Sequence, residues 1–164
     1  MKFAIISDTH DNLVTLHQAL DWIKKNKIKL IIHCGDVTTR ETLLEIVNNF
    51  DGSVQVVAGN ADQNFWRRDN FSQYKNLKLY KDVGELEIDN LKIAFCHFPD
   101  KVKDLARKDF NLVFYGHTHR PWQEKINNTE VINPGNLAGL FYKASFAVFD
   151  TTTKKVELKI LEML

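Results

Sequence analysis

Hydrophobic residues in this chain come in short runs that stop abruptly at polar ones. Phe3-Ala4-Ile5-Ile6 stops at Ser7-Asp8-Thr9-His10, Leu30-Ile31-Ile32-His33 at Cys34-Gly35-Asp36, and Val54 to Val57 at Ala58-Gly59-Asn60. Such short apolar runs read as buried strands. Between them the period changes. Leu13, Leu16, Leu20 and Ile23 recur at helical spacing, which predicts an amphipathic helix over residues 13–25. Thr38 and Glu41 are spaced as a capping box for a second helix, which Leu43, Leu44, Ile46 and Val47 carry to about Asn49. The first third of the chain therefore reads βαβαβ, implying a parallel sheet with right-handed crossovers.

The second half has a different rhythm. Residues 63–76 carry Phe65, Trp66 and Phe71 among Arg67, Arg68, Asp69 and Asn70, and read as a loop or short helix at the rim of the strand ends. Glu85 to Ile88 and Leu91 to Cys96 alternate around Asp89-Asn90 as a hairpin that ends in His97. Asp100 is placed to cap a short helix to about Lys108. Leu112 to Tyr115 is a further buried strand, ending in Gly116-His117-Thr118-His119. Trp122 to Ile126 and Thr129 to Ile132 form a hairpin about Asn127-Asn128, Asn133-Pro134-Gly135-Asn136 a tight turn, and Ser145 to Phe149 with Lys155 to Leu161 a last hairpin around Thr151-Thr152-Thr153. A parallel half followed by an antiparallel half predicts two sheets packed face to face with helices outside.

Composition narrows the function more than the fold. At 164 residues, one domain spanning 1–164 is expected. With a net charge of +1, nothing suggests an extended nucleic-acid surface or a membrane patch, and neither is expected. Cys34 and Cys96 follow apolar runs and read as buried thiols rather than a disulfide framework. The apolar run at Met1 to Ile6 is too short for a signal sequence, and no run reaches membrane-spanning length, so a cytoplasmic protein is expected.

The candidate chemistry lies where the runs stop. Five of them end in a residue able to bind metal: Asp8 and His10, Asp36, Asn60, His97, then His117 and His119. Taken singly, Asp, Asn and Gly after a strand are turn formers. Jointly they are something else, because in an open α/β sheet the rim beyond the strands' carboxyl ends is where ligands bind. Imidazole with carboxylate suits mid-row divalent ions, and a shared carboxylate offsets the repulsion between two of them. Asp36 is the candidate for sharing. His17, in the first helix, reads as an ordinary surface or packing residue, and His33, whose side-chain direction is open, is left out of the set.

Asp8-Thr9-His10, Gly35-Asp36, Gly59-Asn60, His97 and Gly116-His117-Thr118-His119 occur in the order found in the calcineurin-like metallophosphoesterases, which this chain resembles over residues 3–136. Its short length and the Asn133-Pro134-Gly135 turn resemble the small prokaryotic phosphodiesterases of that superfamily. The resemblance implies a four-layer α-β-β-α sandwich of two mixed sheets, with a dinuclear metal site at the carboxyl ends of the strands. It implies one ion held by Asp8, His10, Asp36 and His119, and a second held by Asp36, Asn60, His97 and His117. The two divalent ions are expected to be Mn²⁺ or Ni²⁺, with Fe²⁺, Zn²⁺ and Mg²⁺ as alternatives. The sequence departs from the wider family at Ala61, where many members place a histidine that protonates the leaving group, and from the subgroup at Asn136, usually serine and not expected to affect the metals.

The implied activity is metal-dependent hydrolysis of a small phosphodiester, a nucleotide being one candidate class, by in-line attack of a hydroxide bridging the two ions. Asn60 would bind an ion and touch the phosphate, and Arg120 is a candidate for a phosphate oxygen. With alanine in the acid position, activated diesters should be favoured over alkyl monoesters. The alternative is a non-catalytic interaction scaffold like the retromer subunit of this fold, for which Phe65, Trp66 and Phe71 would be the exposed aromatics. A homodimer or tetramer is expected from the subgroup.

Overall fold

The computed structural model describes residues 1–66 and 69–164; Arg67 and Arg68 lie outside the described residues. Two mixed sheets pack face to face. The first has six strands, β1 (Lys2–Ile6), β2 (Leu30–His33), β3 (Ser53–Val57), β4 (Leu77–Tyr80), β10 (Ser145–Asp150) and β11 (Lys155–Ile160), in the order β11-β10-β1-β2-β3-β4. The second holds β5 (Val83–Ile88), β6 (Leu91–Cys96), β7 (Leu112–Phe114), β8 (Trp122–Ile126) and β9 (Thr129–Asn133), in the order β5-β6-β7-β9-β8. Strands β1 to β4 run parallel, as do β6, β7 and β9. The loops after β1, β2 and β3 therefore leave one edge of the first sheet, and those after β6 and β7 leave one edge of the second.

Strand alternation divides the apolar residues between cores. Phe3 and Ile5 of β1 face the other sheet and meet Ile93, Phe95, Leu112 and Phe114, with the Phe3 and Phe114 rings edge to face at 5.9 Å. Ala4 and Ile6 face the opposite way, onto helices α1 (Leu13–Lys25) and α2 (Arg40–Asn49). The apolar stripe of α1 is Leu16, Ala19, Leu20 and Ile23; that of α2 is Leu43, Ile46 and Val47. Fully burying each Leu, Ile or Val of these stripes contributes roughly 1.5–3 kcal/mol. Outside the second sheet, Val102, Leu105 and Ala106 cover Ala94, Cys96, Val113 and Val131. This fourth layer is thin: a 3₁₀ turn at Pro99–Lys101 and one turn of helix at Val102–Leu105, called α4 after the short α3 (Gln63–Trp66).

The sandwich is the one expected, but several local readings change. Thr39, not Thr38, caps α2, accepting the Thr42 N–H at 3.3 Å. Thr38 is occupied elsewhere: its backbone is left-handed, φ +88°, and its N–H goes to Asp62. Asp100 makes no capping bond, and the helix it was to start ends at Leu105 rather than Lys108. Strand β4 falls in a stretch read as neither strand nor helix. The hairpin at Asp89-Asn90 forms as expected, both residues having φ > 0 as a type I′ turn requires. Both cysteines are buried free thiols. Phe65 and Phe71 are buried in the first core with Trp66 partly buried against them, so the rim aromatics pack on the body. Among the described residues, no helix is long and apolar enough to cross a membrane.

Candidate metal centre

All seven residues picked out as metal ligands come to one edge of the sandwich. The β1 loop brings Asp8 and His10, the β2 loop Asp36, the β3 loop Asn60, the β6 end His97, and the β7 loop His117 and His119. Two clusters result, Asp8 with His10 and His119, and Asp36 with His97 and His117, and within each the ligand atoms lie within 4.8 Å of one another. Each cluster draws from both sheets, so the site spans the seam between them.

The distances suit cations. Two donors each about 2.0–2.2 Å from one ion stand roughly 3–3.5 Å apart. His10 Nε2 lies 3.2 Å from His119 Nε2, and His119 Nε2 lies 3.4 Å from Asp8 Oδ1. In the other cluster His97 Nε2 is 3.2 Å from His117 Nδ1, 3.1 Å from Asn60 Oδ1 and 3.4 Å from Asp36 Oδ2. Imidazole nitrogens this close repel through their lone pairs unless a proton or a cation lies between them. The donor set therefore fits divalent metal. Asp36 divides its carboxylate in a telling way. Oδ1 accepts the Ala61 N–H at 2.8 Å, while Oδ2 faces His97 of one cluster and, at 3.6 Å, His10 of the other.

The backbone is bent to achieve this. Asp8, His10, Asp36, His117 and His119 all have φ between +43° and +68°. Asp and His tolerate the left-handed region better than most residues, yet each such position costs on the order of 1–3 kcal/mol. Interlocking loops hold them there. Asp8 N–H donates to the Gly35 carbonyl, His10 N–H to the Asp36 carbonyl, and Leu137 and Ala138 N–H to the Ser7 and Asp8 carbonyls. Close approach also demands glycine: a Cβ on Gly59 would strike the Asp36 carboxylate and backbone, and one on Gly116 would strike Ser7 and Asp8.

A second group of residues was not identified from the sequence. Asp62 is fully buried and accepts three backbone N–H groups, from Asp36 at 2.9 Å, Thr38 at 2.7 Å and Gly59 at 2.8 Å. Burial pushes its carboxyl up, the N–H donors pull it back and the charge of Asp36 pushes it up again, leaving it above the usual carboxylate range. His33, set aside earlier, is buried beneath the site. Its Nδ1 accepts the Gly35 N–H at 3.1 Å, so Nε2 carries the proton and donates to Thr9 Oγ1 at 2.9 Å. Burial lowers its pKa to about 4. Asn136 is fully buried and donates to the His119 carbonyl at 3.1 Å, so the position expected to be indifferent supports a ligand. Phe98 stands edge-on to His97 at 4.8 Å and tilted against His117 at 5.1 Å. Only its place after His97 hinted at this.

The histidines at the centre are biased the other way from His33. Burial would lower His97, but its bond to Asp36 and the charges of Asp36 and Asp8 raise it above the ordinary histidine value. The bond to Asp8 raises His119, whose buried Nδ1 has no hydrogen-bond partner among the described residues. The same carboxylates that favour protonated imidazole would favour a metal in the proton's place. His17 is half-exposed, 3.5 Å from Glu45, as an ordinary surface residue. Arg120 is exposed with its guanidinium 4.9 Å over the Trp122 ring.

A family model described as Calcineurin-like phosphoesterase superfamily domain matches residues 1–154. Phosphodiesterase MJ0936 of Methanocaldococcus jannaschii is 29% identical over 167 residues, covering 99% of this chain and all of that protein. A solved structure of a novel archaeal phosphodiesterase superposes with a TM-score of 0.87 at 25% identity, over 98% of this chain and 99% of that one. Vacuolar Protein Sorting 29 from Cryptosporidium parvum superposes at 0.70 with 19% identity, over 96% and 95% of the two chains, a likeness of fold.

Proposed function

This chain belongs to the calcineurin-like phosphoesterase superfamily, and on that footing we propose that it is a phosphodiesterase working with two divalent metal ions, the whole chain acting as one catalytic domain. The observation that carries the reading is the pair of His-carboxylate clusters with Asp36 Oδ2 turned toward both. Asp8, His10, Asp36 and His119 would hold one ion; Asp36, Asn60, His97 and His117 the other. Mn²⁺ or Ni²⁺ are the ions we favour. When bound, such ions supply charge for the phosphoryl oxygens and make a water acidic enough to attack near neutral pH.

The chain's own residues do the rest. Asp8 is oriented by the Ser7 hydroxyl at 2.5 Å and the His117 N–H, which both donate to its carboxylate. His97 donates its Nδ1 proton to the Cys34 carbonyl at 2.8 Å, which leaves Nε2 free as a donor of electrons. Asn60 is exposed, with Oδ1 committed to the His97 side, so its amide N–H₂ is available to a phosphate oxygen. Arg120, exposed and stacked over Trp122, is the candidate for a phosphate oxygen. Ala61 has no proton to give, so the departing oxygen must leave largely unprotonated. That favours diesters with acidic leaving groups.

The test is to assay bis(4-nitrophenyl) phosphate and alkyl phosphomonoesters in parallel with Mn²⁺ or Ni²⁺. Diester preference is expected, and a strong monoesterase preference would overturn the reading. Replacing Ala61 by histidine should restore part of the missing acid. Space exists: Ala61 opens onto a cavity of about 440 Å³ lined by Thr38, Arg40, Phe65 and Asp69. General acid help is typically worth about 10²–10⁴-fold, so Ala61→His should raise turnover of alkyl diesters roughly tenfold or more with little change on nitrophenyl esters.

A further inference from the structure

Beside Asn60 the site opens into a cavity of about 330 Å³, lined by Gly59, Asn60, Trp66, Lys81, Asp82 and Phe98. Its character differs from the metal clusters. Two of its walls are aromatic. Phe98 is fixed by the His97 and His117 rings, and Trp66 by Phe65, whose ring it meets at 5.8 Å and 61°. Of the two charged residues at the mouth, Asp82 is neutralised by an ion pair with Lys101. Lys81 is exposed and makes no ion pair among the described residues. Among the described residues the mouth therefore carries one uncommitted positive charge, that of Lys81. A phosphate held at Asn60 would extend its substituent directly into this space.

Resting on the phosphodiesterase reading, we infer that this cavity is the subsite for the flat aromatic substituent of the substrate, and that the substrate class is nucleotide-like, with the base against Trp66 and Phe98. Aromatic side chains accept any base by its π-face, and Lys81 adds attraction for an anionic substrate without specifying the base. Trp66 is then a specificity-determining residue: it shares the cavity wall with Asn60, but its ring packs on Phe65 and not on a ligand histidine. Phe98 is not, because it also supports two histidines.

The experiment compares AMP with ribose 5-phosphate, which differ by the base, by calorimetric titration of the Mn²⁺-loaded protein. Base stacking is worth roughly tenfold or more in affinity, so AMP should bind about that much more tightly. In Trp66→Ala the advantage should vanish while ribose 5-phosphate affinity stays within about twofold, and Trp66→Phe should keep most of it. Equal affinities in the parent protein, no binding of either ligand, or an advantage that survives Trp66→Ala would overturn the subsite. Loss of the phosphodiesterase reading is recognised separately, by failure to hydrolyse bis(4-nitrophenyl) phosphate, since the affinity ratio is read without turnover.

Discussion

The two ligand clusters use the same donor types but are held by different means. Around Asp8, His10 and His119 the supports are neutral: the Ser7 hydroxyl on Asp8, Asn133 on the Gly116 carbonyl, and Asn136 on the His119 carbonyl. Around Asp36, His97 and His117 the main support is a charge, the buried Asp62 carboxylate, which ties the β2 and β3 loops together through three N–H groups. A neutral hydrogen bond contributes about 1 kcal/mol net, while bonds to a charged group contribute about 1.5–3 kcal/mol. The carboxylate costs desolvation, but it also adds negative potential where a cation is wanted. The comparison suggests a cluster with stiff backbone loops beside one with softer support, joined by Asp36.

The largest effect should come from removing the joint. Asp36→Asn keeps the shape and the Ala61 bond but discharges the oxygen that faces both clusters. Lewis-acid stabilisation is worth several kcal/mol, so diester hydrolysis should fall by at least about 10²–10³-fold. Metal analysis of the purified variant should find fewer than two ions per chain. Two ions retained in full would mean that the clusters are independent and that Asp36 is not shared.

Next comes the charged support. Asp62→Ala would leave three N–H groups without their acceptor, each costing about 1–3 kcal/mol if it stays buried. Unfolding by denaturant in chelator should show a loss of about 3 kcal/mol or more, with Asp62→Asn intermediate because one amide oxygen remains. A loss below about 1 kcal/mol would show that water replaces the carboxylate and that the two supports do not differ in kind.

This contrast marks what the sequence could and could not disclose. Ligands were legible because metal chemistry restricts residue type and strand ends restrict place: an apolar run followed by Asp, Asn or His is visible along the chain. Asp62 lay in plain view within Gly59-Asn60-Ala61-Asp62, but its partners are backbone N–H groups, which have no sequence signature. His33 ends a strand, and its direction depends on pairing with neighbours far off in sequence. Strand β4 was missed because Leu77-Lys78-Leu79-Tyr80 is short and, among the described residues, pairs only with β3, across the long segment that follows it. The capping box at Thr38 failed for the same reason as Asp62 went unseen: a tertiary acceptor took the N–H that a local motif would have used.

His33 offers a smaller effect, and one that touches both clusters through Thr9 and Gly35. Its folded pKa of about 4 lies below the ordinary 6.5. Between those values the unfolded chain takes up a proton that the folded chain refuses. This contribution is therefore present above pH 6.5 and is lost as pH falls toward 4, to at most about 3 kcal/mol. His97 and His119 act oppositely in metal-free protein: their raised values favour folding at low pH, and that contribution is lost as pH rises through them. Imidazole nitrogen shifts measured by NMR in chelator should separate the two behaviours. His33 should keep its Nε2–H form to about pH 5 while His97 and His119 are already protonated. Titration of His33 near 6.5 would remove its part in fixing Thr9 and Gly35.

The smallest expected effect tests the softer cluster alone. Asn136 is fully buried; its amide donates to the His119 carbonyl and accepts the Leu140 N–H at 3.0 Å. His119 sits in a left-handed conformation with Nδ1 unpartnered among the described residues, so this backbone bond is a main restraint on its placement. Asn136→Ala should cost only about 1 kcal/mol in stability. Its effect on metal should be larger and one-sided, because losing an outer support of a ligand typically lowers metal affinity about 10–100-fold. Two-site titration with Mn²⁺ should show one site weakened toward the lower end of that range and the other unchanged. Equal weakening of both sites would place the coupling between the clusters in the loops as well as in Asp36, because the hydrogen bonds of Asn136 go to His119, Leu140 and Ser145.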